Sequence, residues 1–282
     1  MNISLLYFSA TGVTNTYAQV IHNELVKLGS SVDMQNITPY SARQRPLLIS
    51  KYDAFIFGFP VYADFAPSVI NEWIPSLDGQ GKRCGMFFTY GARTTGYAHF
   101  HTKLLLEGAN FRVYFSAEFL GRHSFNLGGW DILPERPDEK DFVVARDLAK
   151  VAVERFSKGG QSLLELQKPF GYYYAIKALK EKKTSKKRGW TNPFRAESNC
   201  SMCLACETEC PTRSFDAAAG TSDPKTCIEC LHCVYVCPDE VIQLDEEMKI
   251  PYGAFKTYCH LTDEMMNAKR SKIITEFWQA AT

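Results

Sequence analysis

Eight of the ten cysteines fall into two copies of one spacing, which constrains the C-terminal third more tightly than any other feature of the chain. Cys200-x2-Cys203-x2-Cys206-x3-Cys210-Pro211 returns 27 residues later as Cys227-x2-Cys230-x2-Cys233-x3-Cys237-Pro238. Three thiolates at that interval leave one tight turn and can grip one face of an iron–sulfur cube. The fourth lies too far along to close the same cube and crosses to the other. The spacing predicts one [4Fe–4S] cluster on Cys200, Cys203, Cys206 and Cys237, and a second on Cys227, Cys230, Cys233 and Cys210. Zinc usually takes CxxC pairs across a longer loop and needs only four ligands, so a third cysteine at the short interval fits it poorly. Disulfides would suit a short secreted chain, which nothing here suggests. Cys84, in an apolar run, reads as a core thiol, and Cys259 has no assigned role.

The doubled motif resembles a bacterial two-cluster ferredoxin, which implies electron transfer. At 282 residues the chain is long enough for two domains of ordinary size, and 45% hydrophobic against 22% charged residues reads as globular. The N-terminus, Met1-Asn2-Ile3-Ser4-Leu5, lacks a basic leader and runs directly into a strand pattern. No apolar run approaches the ~20 residues that span a bilayer. A cytoplasmic protein of an organism living with little oxygen is the expectation. Net charge is +1, but unevenly placed: positions 177–188 carry seven basic residues, whereas 189–248 carry eleven acidic against three basic. The acidic stretch suits either docking to a basic redox partner or simple solubility. The basic run reads as a solvated linker, since no aromatic interleaving marks it for nucleic acid.

In the N-terminal half, apolar runs at 2–8, 31–36, 52–58, 82–89 and 111–121 read as strands. Helical periodicity at 15–28, 97–108 and 138–156 separates them, which predicts a parallel sheet covered on both faces. The first loop, Ser9-Ala10-Thr11-Gly12-Val13-Thr14, offers hydroxyls, a glycine and a following helix N-terminus, with no Lys or Arg. Such a loop can bind a phosphate dianion through N–H groups, hydroxyls and the helix dipole. Lacking GxGxxG and a Walker lysine, it does not fit a dinucleotide or a nucleoside triphosphate. It resembles the flavodoxin phosphate loop, Ser/Thr-x-Thr-Gly-x-Thr, matched here by Ser9, Thr11, Gly12 and Thr14, with Val13 variable.

Two further loops resemble those that sandwich the flavodoxin ring. One contains Pro60, Val61, Tyr62 and Ala63; the other contains Thr89, Tyr90, Gly91, Arg93, Gly96 and Tyr97. Tyr62 and Tyr90 are candidates for flat contacts with an isoalloxazine, against the alternative of ordinary core packing. Arg93 either faces the flavin and raises its potential, points to solvent, or pairs with an acidic residue. His99, His101 and His123 read as surface or packing residues, and His232 as a residue tuning the second cluster by hydrogen bonding.

Over most of its length the sequence resembles the flavodoxin–ferredoxin fusion family of iron–sulfur flavoproteins. That resemblance draws on the regions above together with Gly121-Arg122-His123-Ser124-Phe125 and Glu135-Arg136-Pro137-Asp138. It implies an α/β fold: a flavodoxin-like, doubly wound, parallel five-stranded sheet of order 2-1-3-4-5, plus a small α+β ferredoxin domain. The expected boundaries are 1–158 for the FMN-binding domain and 159–191 for a connecting helix and basic linker. The ferredoxin domain would follow at 192–248, and an extension at 249–282 would cover the seam. In that extension Phe255, Tyr258, Leu261 and Met265 are spaced as on a helix. The cofactors implied are FMN and two [4Fe–4S] clusters. The partner is a ferredoxin-like protein donor or acceptor, with FMN-dependent reduction of a small molecule as the alternative. Insertion 124–137 could shield the flavin or shape a substrate pocket. Direct use of NAD(P)H has no second fingerprint to support it, and the sequence leaves the oligomeric state open.

Overall fold

The computed structural model describes residues 1–157, 162–184, 192–196, 199–244, 256–257 and 259–275. Expected linker residues Gly159, Gly160 and Gly189 to Thr191, and the tail residues Phe255 and Tyr258, lie outside the described residues.

Strands β1 (Asn2–Tyr7), β2 (Ser31–Asn36), β3 (Ala54–Pro60), β4 (Arg83–Tyr90) and β5 (Arg112–Leu120) pair in parallel in the order 2-1-3-4-5. That is the flavodoxin-like doubly wound order, whose ligands sit outside the carboxyl ends of the strands. Neighbouring residues of β3 serve opposite faces. Phe55, Phe57 and Phe59 join an apolar cluster with Ile70 of α2 (Ser68–Trp73) and Leu106 of α3 (Ala98–Gly108). Ala54 and Ile56 face the other layer, where Tyr17, Ile21 and Leu25 of α1 (Val13–Lys27) meet Leu148, Ala152 and Phe156 of α4 (Glu139–Ser157). Both helices present apolar residues at helical spacing to that cluster, so burial rather than propensity holds them. Gly58 is needed because a Cβ there would lie 2.1 Å from the Phe87 ring.

The expected five-stranded sheet has a sixth strand. The tail read as helical forms α8 (Asp263–Ala268) and then β10 (Lys272–Ile274), which pairs antiparallel with β5. Leu261 and Met266 are buried, whereas Met265 is 47% exposed, so the helical spacing was off by one residue. A three-residue strand is too short for its alternation to be told from a helix turn, and an unpaired β5 edge favours a covering strand.

Helix α5 (Tyr172–Thr184) docks through buried Tyr172, whose hydroxyl meets His101 Nδ1 at 2.8 Å. Beyond it, β6 (Pro193–Arg195), β7 (Phe215–Asp216), β8 (Thr221–Ser222) and β9 (Ile242–Leu244) form a small sheet, ordered β7-β8-β6-β9. Between its strands the two cysteine motifs enter short helices, α6 (Ala205–Thr208) and α7 (His232–Val236). Among the described residues no helix is long and apolar enough to cross a membrane.

Candidate functional site

The two cysteine loops repeat each other in backbone as well as in spacing. Left-handed φ values occur at Met202 and Leu204 around Cys203, and at Glu229 and Leu231 around Cys230. The third residue after each Cys-Pro cysteine, Arg213 and Glu240, is left-handed too, at φ 55° and 54°. Such conformations cost non-glycine residues energy, so six at matching positions mark a turn built for a purpose. Alternating right- and left-handed residues point successive N–H groups inward, forming a concavity that suits an anion. Met202 N donates to Cys200 Sγ and Glu229 N to Cys227 Sγ, each at 3.4 Å, and Ser214 N donates to Cys210 Sγ at 3.2 Å.

The thiols sort across the repeat. Cys200, Cys203, Cys206 and Cys237 line one cavity, with Met202, Leu204, Phe215 and Ile242. Cys210, Cys227, Cys230 and Cys233 line the other. Among the described residues no three potential ligands converge as a single metal ion requires. A tetrahedral ion with Zn–S near 2.3 Å would draw the sulfurs together. These thiols instead surround two spaces. Burial, reinforced by the neighbouring thiolates Cys227 and Cys210, pushes Cys230 up to about 12. Burial likewise pushes Cys227 up to about 11. Sulfurs so desolvated resist ionisation near neutral pH, and cationic charge beside them would favour it.

At the carboxyl edge of the large sheet, three loops meet. In the first, Gly12 adopts φ 89° and α1 starts at Val13. Ser9 Oγ accepts from Asn15 N at 3.0 Å, and Ser9 N donates to Thr38 Oγ1 at 2.7 Å. The N–H groups of Thr11, Gly12, Val13 and Thr14 make no hydrogen bond among the described residues. Free donors in a row at a helix start fit a phosphate dianion.

Buried Thr14 and Thr89 share a hydroxyl hydrogen bond of 2.8 Å, tying the first loop to the third. Val61 N donates to the Thr89 carbonyl at 2.9 Å, placing the second loop beside them, just past Pro60. That loop turns tightly through Ala63 and Asp64, both left-handed, with Tyr62 and Phe65 exchanging backbone bonds. Tyr97 N donates to the Asp64 carbonyl at 2.8 Å, and Gly96, at φ 52°, packs against Asp64 Cβ. The alternatives for Arg93 resolve toward pairing: its Nη1 lies 2.9 Å from Asp64 Oδ1.

Tyr62 is half-buried and edge-on to Phe8. Tyr90 is turned inward. It is 7% exposed, packs with Trp130, Leu120 and Leu261, and aims its hydroxyl at Glu118. Of the tyrosines at these loops, Tyr62 and Tyr97 are partly exposed, with Tyr97 stacked on Phe65, and Tyr90 is buried. Gly91 is pressed against the His123 ring. His99 is fully buried, between Ser116 Oγ at 2.6 Å and Glu118 at 3.4 Å.

Residues that the spacing did not single out also enter. Ser124 Oγ meets Thr11 Oγ1 at 3.3 Å, so the insertion reaches the first loop. Buried Arg43 donates to the carbonyls of Ile37 and Thr38, and to that of Pro211 beside Cys210. Cys230 and Ile228 pack in one apolar cluster with Ala10, Val61 and Tyr62. The second four-thiol cavity thus adjoins the three loops.

No family model matches the chain. The chain is 34% identical over 94 residues to a Synechocystis sp. protein named diflavin flavoprotein A 3; the match covers 32% of this chain and 16% of that relative. Among solved structures, a flavodoxin from the domain Archaea aligns with 56% of this chain and all of its own, at 17% identity and TM-score 0.43. Flavodoxin 2 from Bacillus cereus covers 55% of this chain and 99% of its own, at 16% identity and TM-score 0.44. The Flv1 flavodiiron core from Synechocystis sp. covers 55% and 36%, at 22% identity and TM-score 0.43. The architecture rests on the strand order itself.

Proposed function

We propose that this chain is an electron-transfer flavoprotein, carrying FMN on the three loops and a [4Fe–4S] cluster in each four-thiol cavity. The observation that carries the reading is the doubled cysteine loop: equivalent left-handed positions, equivalent N–H to sulfur bonds, and cavity linings that exchange the fourth thiol. Ser9, Thr11, Gly12, Val13 and Thr14 would hold the flavin phosphate. Pro60, Val61, Tyr62 and Ala63 would flank the ring on one side, and Thr89, Gly91, Gly96 and Tyr97 on the other. When bound, FMN takes up one or two electrons and each cluster one, which joins single-electron to paired-electron chemistry.

The chain's own residues do the positioning. Inward N–H groups offset charge on the sulfurs, and Phe215 and Ile242 keep a low-polarity wall between the cavities. Asp64 neutralises Arg93, leaving the ring edge without a free cation from that loop. Ser124 on Thr11 brings the insertion to the phosphate loop and favours a shielded flavin, hence a carrier between protein partners rather than a reductase of small molecules. A basic redox protein suits the acidic C-terminal third.

The test is iron, sulfide and flavin content after purification without oxygen. About eight irons and one FMN per chain are expected. Eight irons with no flavin, even after added FMN, would reduce the large sheet to a scaffold and overturn the flavin part of the reading. Iron in equal number to zinc-type sites, without sulfide, would overturn the cluster part.

A further inference from the structure

The first loop has neighbours from the cysteine module on both flanks. His232, the first residue of α7, is 5% exposed, and its Nδ1 lies 2.7 Å from the Ala10 carbonyl. A carbonyl only accepts, so Nδ1 carries the proton. Nearly one turn later, Tyr235 stands against Gly12: a Cβ on Gly12 would lie 2.7 Å from the Tyr235 hydroxyl oxygen. The two rings lie 22° from parallel. On the opposite flank, Arg43 joins the Pro211 carbonyl to Thr38, whose hydroxyl receives the Ser9 N–H. Ser9 and Ala10, which open the loop, are thus each tied to one half of the same four-thiol site.

Gly12 therefore answers to two demands: a left-handed backbone, and room for a side chain from a distant part of the chain. The Tyr235 hydroxyl has no partner among the described residues, and it stands beside a row of N–H groups that have none either. The loop itself contains no Lys or Arg. A dianion seated there depends on neutral donors alone, so each added donor counts.

We propose that the phosphate site is built by both halves of the chain: Tyr235 donates its hydroxyl proton to the flavin phosphate, and His232 is the positioning residue that holds loop and helix together. The proposal rests on the FMN reading above. It makes flavin retention dependent on the second cysteine loop being wrapped in its folded form, and by linkage the dependence runs both ways.

The experiment uses the full chain with its clusters, purified without oxygen, stripped of flavin and titrated with FMN and with riboflavin, which lacks the phosphate. Tyr235→Phe should weaken FMN about ten-fold or more, the effect of losing one hydrogen bond to a charged group. Riboflavin affinity and iron content should stay at wild-type values. His232→Leu should also erode the preference for FMN, and His232→Asn, which keeps a donor near the Nδ1 position, should restore it. If wild type prefers FMN and Tyr235→Phe prefers it as strongly, the proposal fails while the FMN reading stands. Equal weakening of both flavins would reduce Tyr235 to a packing role and also overturn it. A wild-type chain that binds neither flavin would sink the FMN reading itself.

Discussion

Because Cys237 lines the cavity of Cys200, Cys203 and Cys206, replacing it should damage the first motif's site and spare the second's. Cys237→Ser and Cys203→Ser are expected to lose about four of eight irons each and to leave the same residual cluster spectrum. Cys210→Ser should leave the other one. Electron paramagnetic resonance of the three reduced variants checks this, and different residual spectra for Cys237→Ser and Cys203→Ser would contradict the crossed arrangement. Arg93 gives a second expectation. With Asp64 Oδ1 at 2.9 Å its charge is balanced, so Arg93→Ala should leave the flavin potential close to wild type, whereas Asp64→Asn should raise it by freeing a cation. Spectroelectrochemical titration of both variants decides between a paired and a flavin-facing arginine. The grouping of the cysteines was readable in sequence because a turn of seven residues brings three of them to one cavity locally. Arg43 and Tyr235 were not, because each reaches the loops across a long stretch of chain and carries no spacing signal of its own. Tyr90 ends β4 at the third loop, and the Glu118 carboxylate draws its hydroxyl inward, a long-range contact that the loop's own residues do not announce.

Strand β10 was missed for want of length, yet it is anchored at three points beyond its ladder. Ser271 Oγ accepts from Leu120 N at 3.0 Å and donates to the buried carboxylate of Asp141, and Lys272 Nζ lies 3.2 Å from Glu118. Glu118 is buried, which by itself would raise its pKa, but the hydrogen bond and charge of His99, with Lys272, hold it at about 2. A carboxylate lowered in the folded state contributes stability above its unfolded value of 4.5 and loses it as pH falls from there toward 2. Glu118→Gln should therefore weaken β10 by about 2 kcal/mol, roughly a 30-fold loss of amide protection. Hydrogen exchange on Lys272 to Ile274 at one pH above 4.5 reads it, and protection equal to that of the parent chain would show that another group anchors the strand. The five parallel strands, by contrast, were visible in the sequence because burial on both faces leaves near-continuous apolar runs such as Ala54 to Phe59.

The two four-thiol cavities differ in what surrounds them, and the difference sets a direction. Cys210 and Cys230 are each 8% exposed, and Cys230 shares an apolar cluster with Ala10 and Tyr62 at the flavin loops. The other cavity is bounded by exposed Cys203, by Met202 and Leu204 at 46% and 43% exposure, and by Asp239. On the proposed reading the first would be an inner station and the second an outward-facing one. Apolar side chains at the rim give a partner something to pack on, and the acidic excess of the surrounding segment speeds encounter with a basic protein. A protein donor too large to reach the loops should then deliver electrons by way of the outer site. Cys203→Ser, which removes that site and keeps the inner one, should abolish flavin reduction by a reduced protein donor. Dithionite, small enough to reach the flavin edge directly, should still reduce it. Stopped-flow absorbance at the flavin band separates the two cases, with the wild-type rate expected to fall as salt is raised. A Cys203→Ser chain reduced by the protein donor at the wild-type rate would mean that partners dock on the flavin face instead, and the order of stations would have to be reversed.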